Sequence, residues 1–318
     1  TNLSGSYVRD AYLQGLTLQD QGKPNPFNFG VIGSSDTHVA GGSYTEETHF
    51  SKIGILDGEP YLRGSVPFDG IYSLIARLWQ PDSILEIDEK NYLSFSPRLI
   101  RFGSSGLAGV WAEENTRESI YNAFRRKETF GTSGPRIKVR FFAGYNFENS
   151  NLNDQDLIQE AYSKNVPMGG DIIQEKGKNP RFLVWAISDP LGAPLQRVQI
   201  VKGWLTDGEQ REKVFDVACS DGQSVNPLNH RCPDNGAKVN LEDCSISREK
   251  GDAEIKTFWQ DPEFSNDQEA FYYARVLENP TCRWSTWDAM RVEESPRSDI
   301  PETIQERAWS SAIWISNS

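Results

Sequence analysis

The sequence predicts an α/β region on its amino-terminal side, followed by an all-β, sandwich-like region. Three observations lead to this fold class. A helical repeat precedes a short apolar run within residues 6–32, apolar residues alternate with polar ones after Gly134, and turn-forming residues separate the alternating segments. We therefore expect a domain boundary near Gly134, with one unit over residues 1–134 and a second over residues 135–318.

Length and composition are those of a folded protein with a sizeable core. The chain has 318 residues, 37% hydrophobic and 11% aromatic, whereas disordered chains are poor in such residues. The formal net charge of −12 disfavours binding to nucleic acid or anionic membranes, because phosphate neutralisation needs clustered Lys and Arg. No segment approaches the roughly 20 apolar residues that span a bilayer. We expect a soluble protein that acts on a small-molecule substrate, with no nucleic acid and no membrane partner.

The first region begins with helical spacing and continues with a short apolar run. Val8, Tyr12 and Leu16 recur every fourth residue, which predicts a helix over residues 6–21. Residues 27–32 are compatible with a buried strand, and the polar loop over residues 33–38 follows directly. Helix, strand and polar loop in this order are typical of an α/β unit, in which loops after strands carry the chemistry.

An irregular insertion is predicted over residues 40–106, where glycines and prolines are frequent and only residues 71–79 have a helical pattern. A further helix follows the insertion. Asn115 can cap it, and Glu118 lies at the spacing of a capping box.

Beyond Gly134 the apolar period changes from helical to alternating. Val, Ile, Phe, Tyr and Trp are frequent in these segments, as is typical of strands. The predicted strands cover residues 137–144, 182–187, 195–204, 213–218 and 270–277. Asp207 and Gly208 lie between two of them and predict a hairpin turn.

The four cysteines, Cys219, Cys232, Cys244 and Cys282, lie in the last third of the chain. Their even number and the irregular, polar sequence around them predict two disulfides, and hence a periplasmic or secreted protein. We favour Cys219–Cys232 with Cys244–Cys282, although the sequence is compatible with all three pairings. The alternative is a zinc site in which His230 joins Cys219 and Cys232, but the spacings of structural zinc sites are absent.

The strongest candidate for chemistry is the pair Asp36 and His38, which directly follows the predicted strand. On an extended segment, side chains two residues apart project to the same face, so a carboxylate and an imidazole would arrive together. Oxygen and nitrogen donors suit zinc, manganese or iron. The alternative is structural, with Asp36 capping the next turn and His38 solvated in a loop.

Weaker candidates surround this pair. His49 follows His38 by eleven residues and could act as a metal or substrate group, the alternative being a solvent-facing loop rich in charge. Arg98, Arg101 and Arg136 could clamp an anionic substrate, the alternative being structural ion pairs.

Several segments resemble a known family. They cover residues 25–38, 106–117, 132–136, 270–280 and 304–311, and so extend over nearly the whole chain. The chain resembles the bacterial domain-of-unknown-function family 3604. The segment that ends in Asp36-Thr37-His38 is similar to the last metal motif of the polymerase and histidinol phosphatase (PHP) superfamily.

The resemblance implies a distorted α/β barrel of a metal-dependent hydrolase, followed by a β-rich domain. PHP barrels hold two or three divalent metals, zinc or manganese being expected here, and activate water for hydrolysis, typically of phosphoesters. Asp36 and His38 match the final ligand pair. The opening His-x-His motif of the superfamily and its middle histidines are absent, so the resemblance implies the carboxyl-terminal part of such a barrel.

These considerations predict a phosphoesterase-like, metal-dependent hydrolase in which metal-activated water attacks the substrate, with Asp36 and His38 as metal and catalytic residues. His49 and Arg136 are the expected substrate contacts. We expect this chain alone to be incomplete and inactive. The alternative is a non-catalytic, β-rich binding module on a degenerate barrel remnant. The missing barrel strands would leave an open sheet edge that could pair with a second copy in a homo-oligomer.

Overall fold

The fold is that of a mixed α/β protein built mostly from β-sheet. The computed structural model describes residues 5–68, 70–79, 81–93, 101–147, 150–266 and 268–317. Five α-helices lie within them: α1 (Val8–Asp20), α2 (Ile71–Trp79), α3 (Arg117–Arg125), α4 (Leu157–Lys164) and α5 (Trp284–Arg291). Two 3₁₀ turns cover Gly54–Leu56 and Pro81–Ser83. In the described part of the chain, no helix is long and apolar enough to cross a membrane.

Sixteen strands lie within the same described ranges. The first eight are β1 (Ile84–Ile87), β2 (Lys90–Leu93), β3 (Leu107–Val110), β4 (Thr129–Thr132), β5 (Lys138–Gly144), β6 (Val166–Pro167), β7 (Asp171–Ile173) and β8 (Arg181–Ile187). The remaining eight are β9 (Leu195–Thr206), β10 (Glu209–Cys219), β11 (Glu254–Gln260), β12 (Ala270–Glu278), β13 (Thr281–Cys282), β14 (Thr303–Ile304), β15 (Arg307–Ser310) and β16 (Ile313–Ser316).

Two large sheets carry the fold. The larger has the order β10-β9-β12-β15-β4-β3, with β16 paired to β12 and to β7, and the smaller has the order β11-β8-β5-β6. All pairs are antiparallel except β16 with β7. Two short two-stranded sheets, β1-β2 and β13-β14, lie outside these sheets. Neither large sheet closes into a barrel within the described residues.

The two sheets face each other across one apolar core, which makes the architecture sandwich-like. Phe141 and Phe182 of the smaller sheet and Ile200 and Tyr272 of the larger one belong to the same buried cluster. Since side chains alternate along a strand, Phe271 points away from this core.

Helices cover the outer faces of both sheets. Tyr12 and Leu16 of α1 pack with Phe271 and Trp314 of the larger sheet. Leu157 and Ala161 of α4 belong to a third cluster, on the outer face of the smaller sheet with Phe142 and Leu183. The result is a helix–sheet–sheet–helix arrangement of layers.

The predicted helices over 6–21 and 71–79 are confirmed as α1 and α2, and the predicted strands as β5, β8, β9, β10 and β12. Asp207 and Gly208 join β9 to β10 with φ values of 51° and 76°, the left-handed values that a tight hairpin turn requires. The cap of α3 differs from prediction. Thr116, rather than Asn115, is its N-cap, and the Thr116 hydroxyl accepts a hydrogen bond from the Ser119 amide at 3.2 Å.

Residues 27–32 do not form the predicted buried strand. Phe29 is 39% exposed and Ile32 is 55% exposed, and the segment makes no ladder with a neighbouring strand. It lies instead against β4 and the residue that follows β15, where the Val31 amide donates to the Ser311 hydroxyl at 2.9 Å.

The larger sheet contains strands from both sides of Gly134. β3 and β4 precede this residue, and β4 pairs with β15 from the end of the chain. The predicted boundary at Gly134 therefore lies between strands of one continuous sheet.

Two disulfides are present, with the favoured pairing, Cys219–Cys232 and Cys244–Cys282. The prediction of a disulfide-stapled loop is confirmed. The alternative zinc site with His230 is wrong, because Cys219 and Cys232 are bonded to each other.

Candidate functional site

The polar loop that carries Asp36 and His38 begins where the chain crosses strands β3 and β4. A Cβ at Gly33 would lie only 2.4 Å from the carbonyl oxygen of Leu107 and 2.6 Å from that of Thr132. A Cβ at Gly131 would lie equally close to the backbone nitrogen of Gly33. Glycine is required at this crossing because a side chain would collide with backbone atoms.

Asp36 and His38 are both exposed, and a backbone contact links them. Asp36 has a φ of 52°, so the segment is not extended at this residue, as the prediction assumed. His38 Nδ1 lies 3.1 Å from the carbonyl oxygen of Asp36. Because a carbonyl oxygen only accepts, Nδ1 is the donor in this contact, and in a neutral ring of this tautomer Nε2 keeps its lone pair.

Lys52 anchors this loop from below. The His38 amide donates to the Lys52 carbonyl at 2.7 Å, and Lys52 Nζ donates to the Ser35 carbonyl at 2.6 Å. Lys52 is only 4% exposed, and this burial lowers the pKa of its ammonium, while the charges of Asp36, Glu46 and Asp57 raise it. Two hydrogen bonds thus fix residues 35–38 to residue 52.

Asp57 organises the turn that presents Lys52. It is 1% exposed and accepts hydrogen bonds from the Lys52 amide at 2.7 Å and the Ile53 amide at 2.9 Å. Its carboxylate also accepts from the Ser51 hydroxyl at 2.5 Å. These bonds satisfy a buried charge and make the anchor of the loop rigid.

His49 is buried rather than solvent-facing. It is 3% exposed, and its ring centroid lies 4.9 Å from that of Trp284. Burial, with smaller contributions from the charges of Arg63 and Lys52, lowers the pKa of His49 to about 4. The solvated-loop alternative for His49 is wrong, and the imidazole is neutral at pH 7.

The arginine candidates do not gather into one clamp in the described residues. Arg136 is exposed, and its amide donates to Asp189 at 2.7 Å. Arg101 is also exposed, and Arg98 lies outside the described residues. Arg136 lines a cleft of about 510 Å³ together with Glu46 and Glu278.

Arg63 and Glu46, which the sequence analysis did not select, hold the insertion against α5. Arg63 Nε and Nη2 each donate to the Asp288 carboxylate at 2.6 Å, and both side chains are buried. The Glu46 carboxylate accepts from the Trp284 amide at 2.8 Å and from the Ser104 amide at 2.6 Å. No local pattern marks these residues, because their partners are more than 50 positions away in the chain.

Asp36 and His38 could together offer one oxygen and one nitrogen donor to a divalent metal. The free Nε2 of His38 fits this function, since a metal-binding imidazole typically donates its other N–H to a carbonyl or carboxylate. Among the described residues, no group of three or more His, Cys, Asp or Glu side chains is arranged around a common metal position.

The fold and the loop together define a two-sheet protein of mixed α/β class, with a carboxylate and an oriented imidazole exposed at one sheet edge. Residues 1–317 match the family model described as "Protein of unknown function (DUF3604)". The chain belongs to this family, as the resemblance predicted. No curated protein matches the chain.

Proposed function

We propose that this chain contributes Asp36 and His38 to the metal centre of a divalent-metal-dependent hydrolase of PHP type. The substrate class is a small ester or phosphoester. The observation that carries the proposal is the hydrogen bond from His38 Nδ1 to the Asp36 carbonyl, at 3.1 Å.

That bond prepares the imidazole for a ligand function before any metal binds. It fixes the tautomer and the ring plane, and it leaves Nε2 as the free donor at an exposed position. A bound zinc or manganese ion would supply Lewis acidity, which makes water a stronger nucleophile and polarises the substrate oxygen. The Asp36 carboxylate can hold the cation and also accept a proton from a neighbouring water molecule.

Lys52 acts in this proposal as a positioning residue. It is too deeply buried to reach a substrate above the loop, but it holds the Ser35 carbonyl and lies close enough to Asp36 for their charges to interact. Its positive charge attracts the Asp36 carboxylate and so helps to hold the loop that would present the metal ligands.

The proposal assigns only two ligands to the described residues. A complete centre needs three or four, so the others come from water or from groups beyond the described part of the chain. The PHP-type barrel belongs to the same proposal and would supply them. The competing function, a non-catalytic binding module, needs no metal at Asp36 and His38.

Metal titration tests the proposal directly. Isothermal titration with MnCl₂ and, separately, ZnCl₂ at pH 7.5 should detect one site when the protein contains this chain together with the barrel segment that supplies the other ligands. Asp36→Asn and His38→Gln should each weaken it at least tenfold, because each removes a ligand atom while keeping the side-chain size. His230→Gln is the matched control, since His230 lies on the disulfide loop and should leave the affinity unchanged.

Equal affinity in the wild type and in both loop variants would refute the metal centre. Complete absence of binding in the wild type would favour the non-catalytic module. Hydrolysis of p-nitrophenyl phosphate and p-nitrophenyl acetate, with and without the same metals, then distinguishes a phosphoesterase from an esterase.

We also propose that the protein functions in the periplasm or outside the cell. The two disulfides support this location, because disulfides persist in oxidising compartments and are rare in the reducing cytosol.

A further inference from the structure

A second polar site lies at one end of the sandwich, in the 510 Å³ cleft that Arg136 lines. We call it the carboxyl cleft and define it by Glu46, Asp189, Glu278 and Glu306, which line it together with Tyr44 and Trp287. Its walls come from the insertion, the β8–β9 connection, the end of β12 and α5. A volume of this size suits a small molecule rather than a bare ion.

Three of these carboxyl groups are buried. Glu278 is 1% exposed, Glu306 4% and Glu46 5%. Glu46 receives two backbone N–H groups, and Glu306 receives the hydroxyls of Ser104 and Ser133. These two carboxyl groups therefore have donors on the protein.

Glu278 differs from its neighbours because one of its oxygens has no partner. Oε2 accepts from the Ala193 amide at 3.3 Å, whereas Oε1 is buried and has no hydrogen-bond partner among the described residues. A buried carboxyl oxygen without a donor costs free energy unless a ligand or water satisfies it. The residue lines the cleft, so a bound molecule can supply that donor.

The excess of carboxyl groups around the cleft favours a cationic ligand, because a cation stabilises their ionised forms. Five acidic residues line it, namely Glu46, Glu47, Asp189, Glu278 and Glu306, against two basic ones, Arg136 and Arg248. Both arginines are exposed at its rim. The buried end of the cleft therefore concentrates carboxyl groups and lacks a basic side chain of its own among the residues that line it.

We infer that the carboxyl cleft binds a small organic molecule through a primary ammonium group, which donates to Glu278 Oε1. An ammonium has three N–H donors, so it can also reach an acceptor on Glu306 or Asp189 while its carbon chain contacts Tyr44 and Trp287. A calcium ion fits less well, because it needs six to eight oxygens and the Glu46 oxygens already bind backbone amides.

Proton release gives this binding a distinctive signature. Burial, together with the charges of Glu306 and Asp189, raises the pKa of Glu278 to about 9, and burial raises that of Glu306 to about 7. Glu278 is thus protonated at pH 7.5 in the free protein, and an ammonium would favour its ionised form. The other charged groups facing the cleft are Glu46, Glu47, Arg136 and Arg248.

The test is isothermal titration at pH 7.5 with 1,4-diaminobutane, and with 1,4-butanediol as its neutral analogue. The titration is repeated in two buffers that differ in ionisation enthalpy. The difference between the two binding enthalpies gives the number of protons taken up or released on binding. We expect the diamine to bind, the diol to bind at least tenfold more weakly, and protons to be released on diamine binding. Glu278→Gln should weaken the diamine at least tenfold and remove most of the proton release, and the rest comes from Glu306.

Glu212→Gln is the matched control, because Glu212 is also a partly buried carboxyl with a raised pKa but lies beside Arg9, outside the cleft. It should bind the diamine as the wild type does. Equal binding of diamine and diol, unchanged binding by Glu278→Gln, or binding of CaCl₂ instead of the diamine would each overturn the proposal. If Glu278→Gln fails to fold, the absence of proton release in the wild type refutes it independently.

Discussion

At the scale of single residues, His38 and His49 show how position decides what an imidazole can do. His38 is exposed, and its Nδ1 is occupied by a carbonyl, so Nε2 is open to a ligand. His49 lies in the insertion and is buried against Trp284, and its Nδ1 has no partner among the described residues. Both histidines lie in polar stretches of the sequence, and only packing in the fold makes one of them exposed and the other buried.

The low pKa of His49 predicts a specific acid sensitivity. The unfolded chain binds a proton at His49 near the ordinary pKa of 6.5, whereas the folded chain does so only near 4. Stability is therefore lost as the pH falls from about 6.5 to about 4. His49→Phe keeps a ring against Trp284 without this titration. When the pH is lowered from 7.5 to 4.5, the free energy of unfolding of His49→Phe should rise relative to that of the wild type by about 2–3 kcal/mol.

Urea unfolding of both proteins at the two pH values measures this change. His38→Phe is the matched control, because it makes the same exchange of an imidazole for a phenyl ring at an exposed position. A difference between His49→Phe and the wild type that stays constant with pH would show that His49 does not titrate as described.

At the scale of the secondary-structure element, the N-cap of α3 lies one residue later in the chain than the sequence predicted. Both Asn115 and Thr116 are good N-cap residues, so the sequence alone does not choose between them. In the fold, Thr116 has the extended backbone of an N-cap, with φ −120° and ψ 156°, and its hydroxyl receives the Ser119 amide. The backbone path out of β3 sets the choice.

The two candidate caps predict different effects of alanine. Thr116→Ala should lower the free energy of unfolding by about 1 kcal/mol, because the Ser119 amide loses its acceptor. Asn115→Ala should change it by less than about 0.5 kcal/mol, as is usual for exposed positions. Thermal or urea unfolding of the two variants checks this, and equal losses would contradict the assigned cap.

At the scale of the whole molecule, the larger sheet joins parts of the chain that the sequence assigns to separate units. β4 pairs with β15, although about 175 residues lie between them, and α1 covers Phe271 and Trp314 on the outer face. Removing residues 1–134 would leave β15 without a neighbour on one side and would expose these aromatic rings.

A fragment of residues 135–318 should therefore not fold as the intact chain does. We expect it to aggregate or to lack a cooperative unfolding transition, because it loses β3, β4 and the cover of α1. Size-exclusion chromatography and near-ultraviolet circular dichroism, with the full chain as control, measure this. A monomeric fragment with a sharp transition would establish residues 135–318 as an independent domain.

The sequence by itself determined the elements with a regular apolar period, the hairpin at Asp207-Gly208 and, through resemblance, the family. The elements and the hairpin follow from local spacing and from the chemistry of single residue types, and the same reasoning favoured one disulfide pairing without excluding the other two. Tertiary structure alone decided which polar groups are buried. Glu46 meets the Trp284 amide 238 positions away, and Glu278 lies in the same cleft. Burial and charge depend on segments that meet only in the fold, and no short window of sequence contains both partners.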